Sequence, residues 1–213
     1  MTGAYVKVGS GDHRVLAMHG WFGSALGWGH LPEYLNTVDF SYVFTDLRGY
    51  GSRMGEPGRY TMAEAAADAI ELADDLGWDR FSLLGHSMSG VAIQHVLLQA
   101  PDRVRRLVGV APVPASGLPL GEAEWALFAG AAASPDKRAA IVNFATGSRL
   151  PPAFVSAIVR HSLDNSDQAM SYLAQTRNTL GLRLDLALCD GESARWAEGV
   201  AIGDPVTAEL VAA

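Results

Sequence analysis

The chain has 213 residues, of which 49% are hydrophobic and 18% are charged, and a formal net charge of −7. This length allows one domain with a substantial core, with or without a small insertion. The acidic balance, with no Lys/Arg cluster beyond residues 102–106, argues against nucleic acid or an anionic membrane as a partner. The sequence contains no apolar run of the roughly 18 residues that a membrane helix needs. Its first twenty residues also lack the pattern of a signal peptide.

Cysteine and histidine usage predicts a protein without disulfides or metal. Cys189 is the single cysteine of the sequence, so no internal disulfide can form, which fits a reducing cytoplasm. The Cys and His residues do not have the spacing of a zinc site, and no Gly-rich phosphate loop is present. We therefore expect a cytoplasmic protein without a metal or other cofactor. The sequence leaves its oligomeric state open.

Strand and helix patterns alternate along the first half of the chain. Short apolar runs predict strands, and Thr61 with Glu64 forms a capping box at the start of the clearest helix. Strands that alternate with helices predict an α/β fold with a mostly parallel sheet and right-handed crossovers. The predicted strands are 4–8, 14–20, 41–47, 79–87 and 106–113, and the predicted helices are 28–37 (weak), 62–77 and 89–101.

The pattern changes after the fifth predicted strand. Residues 115–180 contain only helix signals, including Ser134 as an N-cap followed by Pro135. We interpret this segment as a helical lid over the carboxyl edge of the sheet, inserted into a core formed by residues 1–114 and 181–213. The lid residues predicted to pack there and to face a small ligand are Trp125, Phe128, Phe144 and Phe154.

Residues 81–91, with the sequence FSLLGHSMSGV, predict a strand that turns sharply into a helix with Ser87 at its tip. Such a turn exposes the serine hydroxyl above the sheet, and the Met88 N–H at the helix start can meet a developing oxyanion. The positions two before and two after the serine must be small because strand and helix nearly touch there. Gly85 and Ser89 occupy these two positions. The usual pattern has glycine at both, so Ser89 departs from it.

Three segments together resemble the α/β-hydrolase family: residues 16–28 (LAMHGWFGSALGW), 46–53 (DLRGYGSR) and 83–113. The resemblance covers about residues 3–114 and extends more loosely to 180, which implies a C-terminally short α/β-hydrolase fold with a helical lid insertion. It implies that Ser87 is the nucleophile and that the backbone N–H groups of Trp21 and Met88 form the oxyanion hole. Phe22 is an alternative to Trp21 and a candidate substrate-binding residue.

The same resemblance assigns structural roles to three further residues. His19, directly before Gly20 and Trp21, is expected to hold the oxyanion loop rather than to transfer protons. Asp46 and Arg48 match a structural turn and not the catalytic triad.

The acid and base of the triad are harder to find. In the family an acid and then a histidine follow the nucleophile, and Asp204 in VAIGDPV matches the acid better than Asp185 or Asp190. No histidine follows Asp204, and His95 and His161 do not lie at strand ends. Either the sequence is shortened, or the protein lacks the family's general base.

Three hypotheses follow from these residues. The first is a serine hydrolase whose partner is a small, fairly apolar ester or lactone. The second is a non-hydrolytic enzyme on the same scaffold, such as a hydroxynitrile lyase, C–C hydrolase or perhydrolase. The third is a catalytically impaired, ligand-binding protein, which the absent histidine favours; the intact turn at Ser87 favours the first.

Overall fold

A five-stranded sheet forms the centre of the part of the chain that the computed structural model describes, which is residues 4–115, 117–118, 120–174 and 176. Its spatial order is β1-β3-β2-β4-β5. Strand β1 runs antiparallel to β3, whereas β3, β2, β4 and β5 run parallel to one another. The predicted α/β class with a mostly parallel sheet is therefore confirmed. The strands are β1 Tyr5–Gly9, β2 His13–Met18, β3 Phe40–Thr45, β4 Phe81–His86 and β5 Val104–Val110.

The helices of the first half pack on one face of this sheet. Helix α1 spans Met62–Asp75 and begins as predicted, because the Thr61 side chain accepts a hydrogen bond from the Glu64 N–H. Helix α2 spans Ser89–Gln99. Short 3-10 turns lie at Leu31–Tyr34, Gly51–Arg53 and Pro101–Arg103. None of the described helices is long and apolar enough to cross a membrane.

The prediction of a weak helix over 28–37 is wrong. The structure has only a single 3-10 turn, Leu31–Tyr34, within that range. Gly29 has a φ of +57°, in the left-handed region, which is incompatible with a right-handed helix through that residue. Pro32 lies directly after this bend and is tolerated only in the first turn of a helix.

Helices also fill the described residues after β5, as the sequence predicts. They are α3 Glu122–Ala129, α4 Pro135–Thr146, α5 Pro152–Ser162 and α6 Ser171–Ala174, with a 3-10 turn at Gln168–Met170. The Ser166 N–H donates to the Gly49 carbonyl at 2.8 Å, so the end of this helical segment, the lid, is held on the loop after β3. The predicted boundary between a lid at 115–180 and a core of 1–114 plus 181–213 stays a prediction, because 181–213 lie outside the described residues.

Arg138 of α4 joins three lid helices from a buried position. Its guanidinium donates to the carbonyls of Ala131 and Ala132, just after α3, at 2.9 and 2.7 Å. It also donates to the carbonyl and the hydroxyl of Ser162, the last residue of α5. Burial lowers the pKa of this guanidinium. A planar group with five donors suits this set of acceptors, which lie at the ends of two helices.

We expect Arg138→Met to lower the free energy of unfolding by about 3 kcal/mol, because the buried Ser162 carbonyl and the partly buried Ala132 carbonyl lose their described donor. Urea denaturation followed by circular dichroism measures the effect. Arg149→Met is the matched control, since the Arg149 guanidinium is exposed and bonds only the Thr146 carbonyl in the described part of the chain. An equal loss in both variants would show that Arg138 does not join the lid helices in solution.

Candidate active site

Ser87 lies at a strained turn between β4 and α2. Its φ is +52°, a left-handed conformation that costs a non-glycine residue about 1–2 kcal/mol. Two backbone hydrogen bonds hold it there: the Ser87 N–H donates to Val110 O at 3.0 Å, and the Val113 N–H donates to Ser87 O at 2.8 Å. Ser87 is partly exposed, whereas Met88 and Ser89 are buried. The structure thus places Ser87 at the strand–helix turn that the sequence indicates.

Close packing around this turn explains the small residues beside it. A Cβ on Gly85 would lie 2.6 Å from the Ser89 carbonyl oxygen, so only glycine fits. A Cβ on Gly20 would lie 2.7 Å from His86 Nδ1 and 3.2 Å from Ser87 Cβ. The loop after β2, residues 19–27, therefore approaches Ser87, and we call it the oxyanion loop after the role that the sequence predicts for it.

His19 holds the first turn of the oxyanion loop. Its Nε2 accepts a hydrogen bond from the Leu47 N–H at 3.2 Å, so the ring proton lies on Nδ1, which donates to Gly20 O at 2.8 Å. The Gly23 N–H also donates to Gly20 O, at 2.9 Å. Burial lowers the pKa of His19 to about 4, so the imidazole is neutral at pH 7. Both of its nitrogens are engaged, and its contacts are those of a structural residue.

Like the N–H groups of Phe22 and Ser89 beside them, the backbone N–H groups of Trp21 and Met88 have no acceptor among the described hydrogen bonds. The Trp21 N–H belongs to the same planar trans peptide as Gly20 O, and the two groups point in opposite directions. Because His19 and Gly23 hold that oxygen, they also fix the direction of the Trp21 N–H. These two donors are the ones the sequence predicts for the oxyanion hole.

An aromatic cluster lies between the oxyanion loop and the lid. Trp21 stacks on Phe22 with ring centroids 4.7 Å apart and on Phe128 at 5.6 Å, and Trp125 is 6.1 Å from Phe128. The Arg138 guanidinium lies 6.0 Å from the centre of the Phe22 ring. The structure thus brings together four of the predicted aromatic site residues, and the cluster makes the lid side of the oxyanion loop apolar.

Phe144 and Phe154 are not part of this cluster in the described ring contacts. Their side chains are 55% and 61% exposed. The buried side chains of α4 are instead those of Arg138, Ile141 and Val142. In α5, Val155 and Val159 are buried. A substrate-binding role for Phe144 and Phe154 stays a prediction without a supporting contact.

The described structure does not supply a base for Ser87. All six histidines of the sequence lie in the described residues, and no hydrogen bond described there joins an imidazole to Ser87. The ring of His86 lies 6.1 Å from Trp28, and His95 lies inside α2. His161 of α5 bonds Ser24 of the oxyanion loop, with Nε2 and Oγ 2.8 Å apart. Asp204, the predicted acid, lies outside the described residues, as do Asp185 and Asp190.

Both carboxylate oxygens of Asp46 accept hydrogen bonds within a structural turn. Its carboxylate accepts hydrogen bonds from the Ala25 N–H at 2.7 Å, the Ser52 N–H at 2.9 Å and the Ser52 hydroxyl at 2.8 Å. Arg48 forms two bonds of 2.8 Å with the buried carboxylate of Asp68 in α1. Within the described residues, no group of three or more His, Cys, Asp and Glu side chains is arranged to hold a metal ion.

Sequence reasoning missed three side chains that shape the site: Ser24, Arg138 and Asp68. Ser24 and Asp68 act through partners 137 and 20 residues away, His161 and Arg48, and Arg138 reaches Ser162, 24 residues away, so no local pattern reveals these bonds. The one signal for Asp68 was a charged residue on the otherwise apolar face of α1, where Ala65, Ala69 and Leu72 are buried.

A family model described as alpha/beta hydrolase fold matches residues 14–175, which is more than half of the chain. The chain belongs to the α/β hydrolase fold family. It is 32% identical over 106 residues to epoxide hydrolase 3 of Siraitia grosvenorii, and 35% identical over 114 residues to N-formylmaleamate deformylase of Pseudomonas putida. These matches cover 49% and 53% of this chain but only 33% and 42% of those proteins.

A solved hydrolase from Oleispira antarctica shares the fold with a TM-score of 0.71 at 18% identity. The match covers 81% of this chain and 68% of that one.

Strain at Ser87 predicts a difference in the free energy of unfolding between two variants that both lack the hydroxyl. We expect Ser87→Gly to be more stable than Ser87→Ala by about 1 kcal/mol, because glycine adopts a φ of +52° without a steric penalty. Thermal or urea unfolding of both variants measures the difference. Equal stabilities would show that the turn relaxes in solution and is not strained.

Burial of neutral His19 predicts a loss of stability in acid. The unfolded state binds the proton near pH 6.5 and the folded state only near pH 4, so stability falls as the pH decreases between these values. The full loss is on the order of 3 kcal/mol. We expect His19→Gln to be less stable at pH 7 and to have a shallower decline from pH 6.5 to 4, measured by urea midpoints. The exposed His30 provides the control, and His30→Gln should retain the wild-type slope in this range.

Proposed function

We propose that the protein is a serine hydrolase that cleaves a small, fairly apolar ester or lactone through an acyl-enzyme at Ser87. The observation that carries this proposal is the left-handed Ser87, held at the carboxyl end of a central parallel strand near the N–H groups of Trp21 and Met88, which have no acceptor among the described hydrogen bonds. A strained backbone conformation at a non-glycine residue persists only where the surrounding structure enforces it, and such residues cluster at functional sites.

In the proposed reaction the Ser87 oxygen attacks the carbonyl carbon of the ester, and its proton passes to a general base. The negative charge that develops on the carbonyl oxygen accepts hydrogen bonds from the Trp21 and Met88 N–H groups. The tetrahedral intermediate collapses, the C–O bond to the alcohol breaks, and the alcohol leaves with the proton from the base. Water then attacks the acyl-enzyme by the same steps and releases the acid.

The general base of this proposal is an imidazole oriented by Asp204. None of the six histidines in the sequence bonds Ser87 in the described residues. The chain spans 33% and 42% of the two curated relatives named above, so the proposal concerns the activity of the whole protein.

Two features support the substrate class. The cluster of Trp21, Phe22, Trp125 and Phe128 gives the site an apolar wall, which favours a substrate with little charge. The relative from Pseudomonas putida is, by its name, a deformylase. A serine nucleophile suits carbonyl carbon because the oxyanion hole stabilises the resulting intermediate.

A ligand-binding protein without turnover is the second candidate. It is favoured by one observation, the lack of an imidazole bonded to Ser87 among the described residues. Such a protein would use the same aromatic wall, but the strained turn at Ser87 would have no use.

Fluorophosphonate labelling and p-nitrophenyl ester hydrolysis separate the two candidates. We expect Ser87 to be the labelled residue by peptide mass spectrometry, and Ser87→Ala to abolish labelling and to lower kcat by about 10⁴ or more. Ser10→Ala is the control, because Ser10 is exposed in the turn between β1 and β2. Binding of an ester without label at Ser87, and without hydrolysis, would replace the hydrolase proposal by the binding one.

A further inference from the structure

A buried hydroxyl joins the two halves of the oxyanion hole. Ser89, in the first turn of α2, is fully buried, and its Oγ donates a hydrogen bond of 2.5 Å to the carbonyl oxygen of His19. The partners are 70 residues apart in sequence. Glycine, which usually occupies this position of the motif, has no side chain that could form the bond.

The two oxyanion donors come from separate segments, which must be held at a fixed distance and orientation to each other. Met88 belongs to the turn after β4, and Trp21 belongs to the loop after β2. Both N–H groups must reach one oxygen at about 2.7–3.1 Å for the hole to work. Ser89 follows Met88 directly, and His19 lies two residues before Trp21, so the Ser89–His19 bond crosses from one donor segment to the other next to both donors.

The other described hydrogen bonds of the oxyanion loop do not reach the Ser87 turn. His19 and Gly23 bond Gly20 O within the loop, and the Leu47 and Ala25 N–H groups connect it to the segment after β3. Ser24 connects it to the lid through His161. Within the described residues, the Ser89 hydroxyl is the one hydrogen-bonding group that fixes the loop to the start of α2.

We propose that Ser89 is a positioning residue that sets the separation of the Trp21 and Met88 N–H groups, and thereby the stabilisation of the oxyanion. This inference rests on the proposed function, because the oxyanion is that of the Ser87 reaction. The role follows from geometry: without the hydroxyl, no described hydrogen bond joins the loop to the start of α2, and apolar packing of Trp21 and Met88 in the same buried cluster remains.

Ser89→Ala and Ser89→Gly test the proposal, with Ser82→Ala as a matched control. Ser82 is also buried, and its hydroxyl bonds His13 Nε2 at 3.0 Å at the opposite end of β4. We expect both Ser89 variants to lower kcat for p-nitrophenyl acetate about tenfold with little change in KM, because the misaligned donors act only in the transition state. The control should retain the wild-type kcat. A rise in KM with unchanged kcat, or an equal loss in the control, would overturn the proposal.

Amide hydrogen exchange provides a second measurement that does not depend on activity. The Gly23 and Leu47 N–H groups bond within and beside the oxyanion loop, so their exchange reports its attachment. We expect exchange at both to become about tenfold faster in folded Ser89→Ala and to be unchanged in Ser82→Ala. If the wild type does not hydrolyse esters, the proposed function fails, but exchange still decides whether Ser89 holds the loop. Unchanged exchange in both Ser89 variants would overturn the inference.

Discussion

The contact between the oxyanion loop and the turn after β4 is the constraint on which the site depends. It arises from the sheet, because β2 and β4 are parallel neighbours in which Met18 pairs with Gly85, so both loops leave the same edge side by side. At that edge neither Gly20 nor Gly85 has room for a side chain. The close approach of the two loops therefore requires glycine at position 85, where the neighbour is backbone, and favours it at position 20, where a side chain would displace the His86 ring.

The lid is attached to the same loop at several points. His161 of α5 bonds Ser24, the Arg138 guanidinium lies over the Phe22 ring, and Phe128 of α3 stacks on Trp21. Arg138 also joins the ends of α3 and α5, so these contacts belong to one connected unit. Displacement of a lid helix would therefore strain the loop that carries the Trp21 N–H, so in the proposed reaction the fit of a substrate would be coupled to the geometry of the proposed oxyanion hole.

The sequence predicts the parts of this structure that depend on local pattern. Alternation of apolar strands with helices indicates the sheet, Thr61 indicates the start of α1, and the small residues around Ser87 indicate the turn. Contacts between residues that are far apart in sequence leave no such pattern. For this reason the sequence does not indicate the bond of Arg138 to Ser162 or that of His161 to Ser24. Periodicity also fails to show which face of a short apolar helix is buried, which is why Phe144 and Phe154 were grouped with Trp125 and Phe128.

Backbone N–H dipoles are the main electrostatic feature that the described residues place beside Ser87. Burial keeps His19 neutral, and Asp46 is occupied by three hydrogen bonds in a turn, so neither supplies a free charge beside Ser87. The aromatic cluster reduces the access of water to the same side. In such surroundings an N–H dipole interacts more strongly with a developing negative charge than it does in water. In the proposed reaction these two dipoles stabilise the oxyanion, so small errors in their alignment have large consequences. A buried hydroxyl that joins their two segments would preserve that alignment.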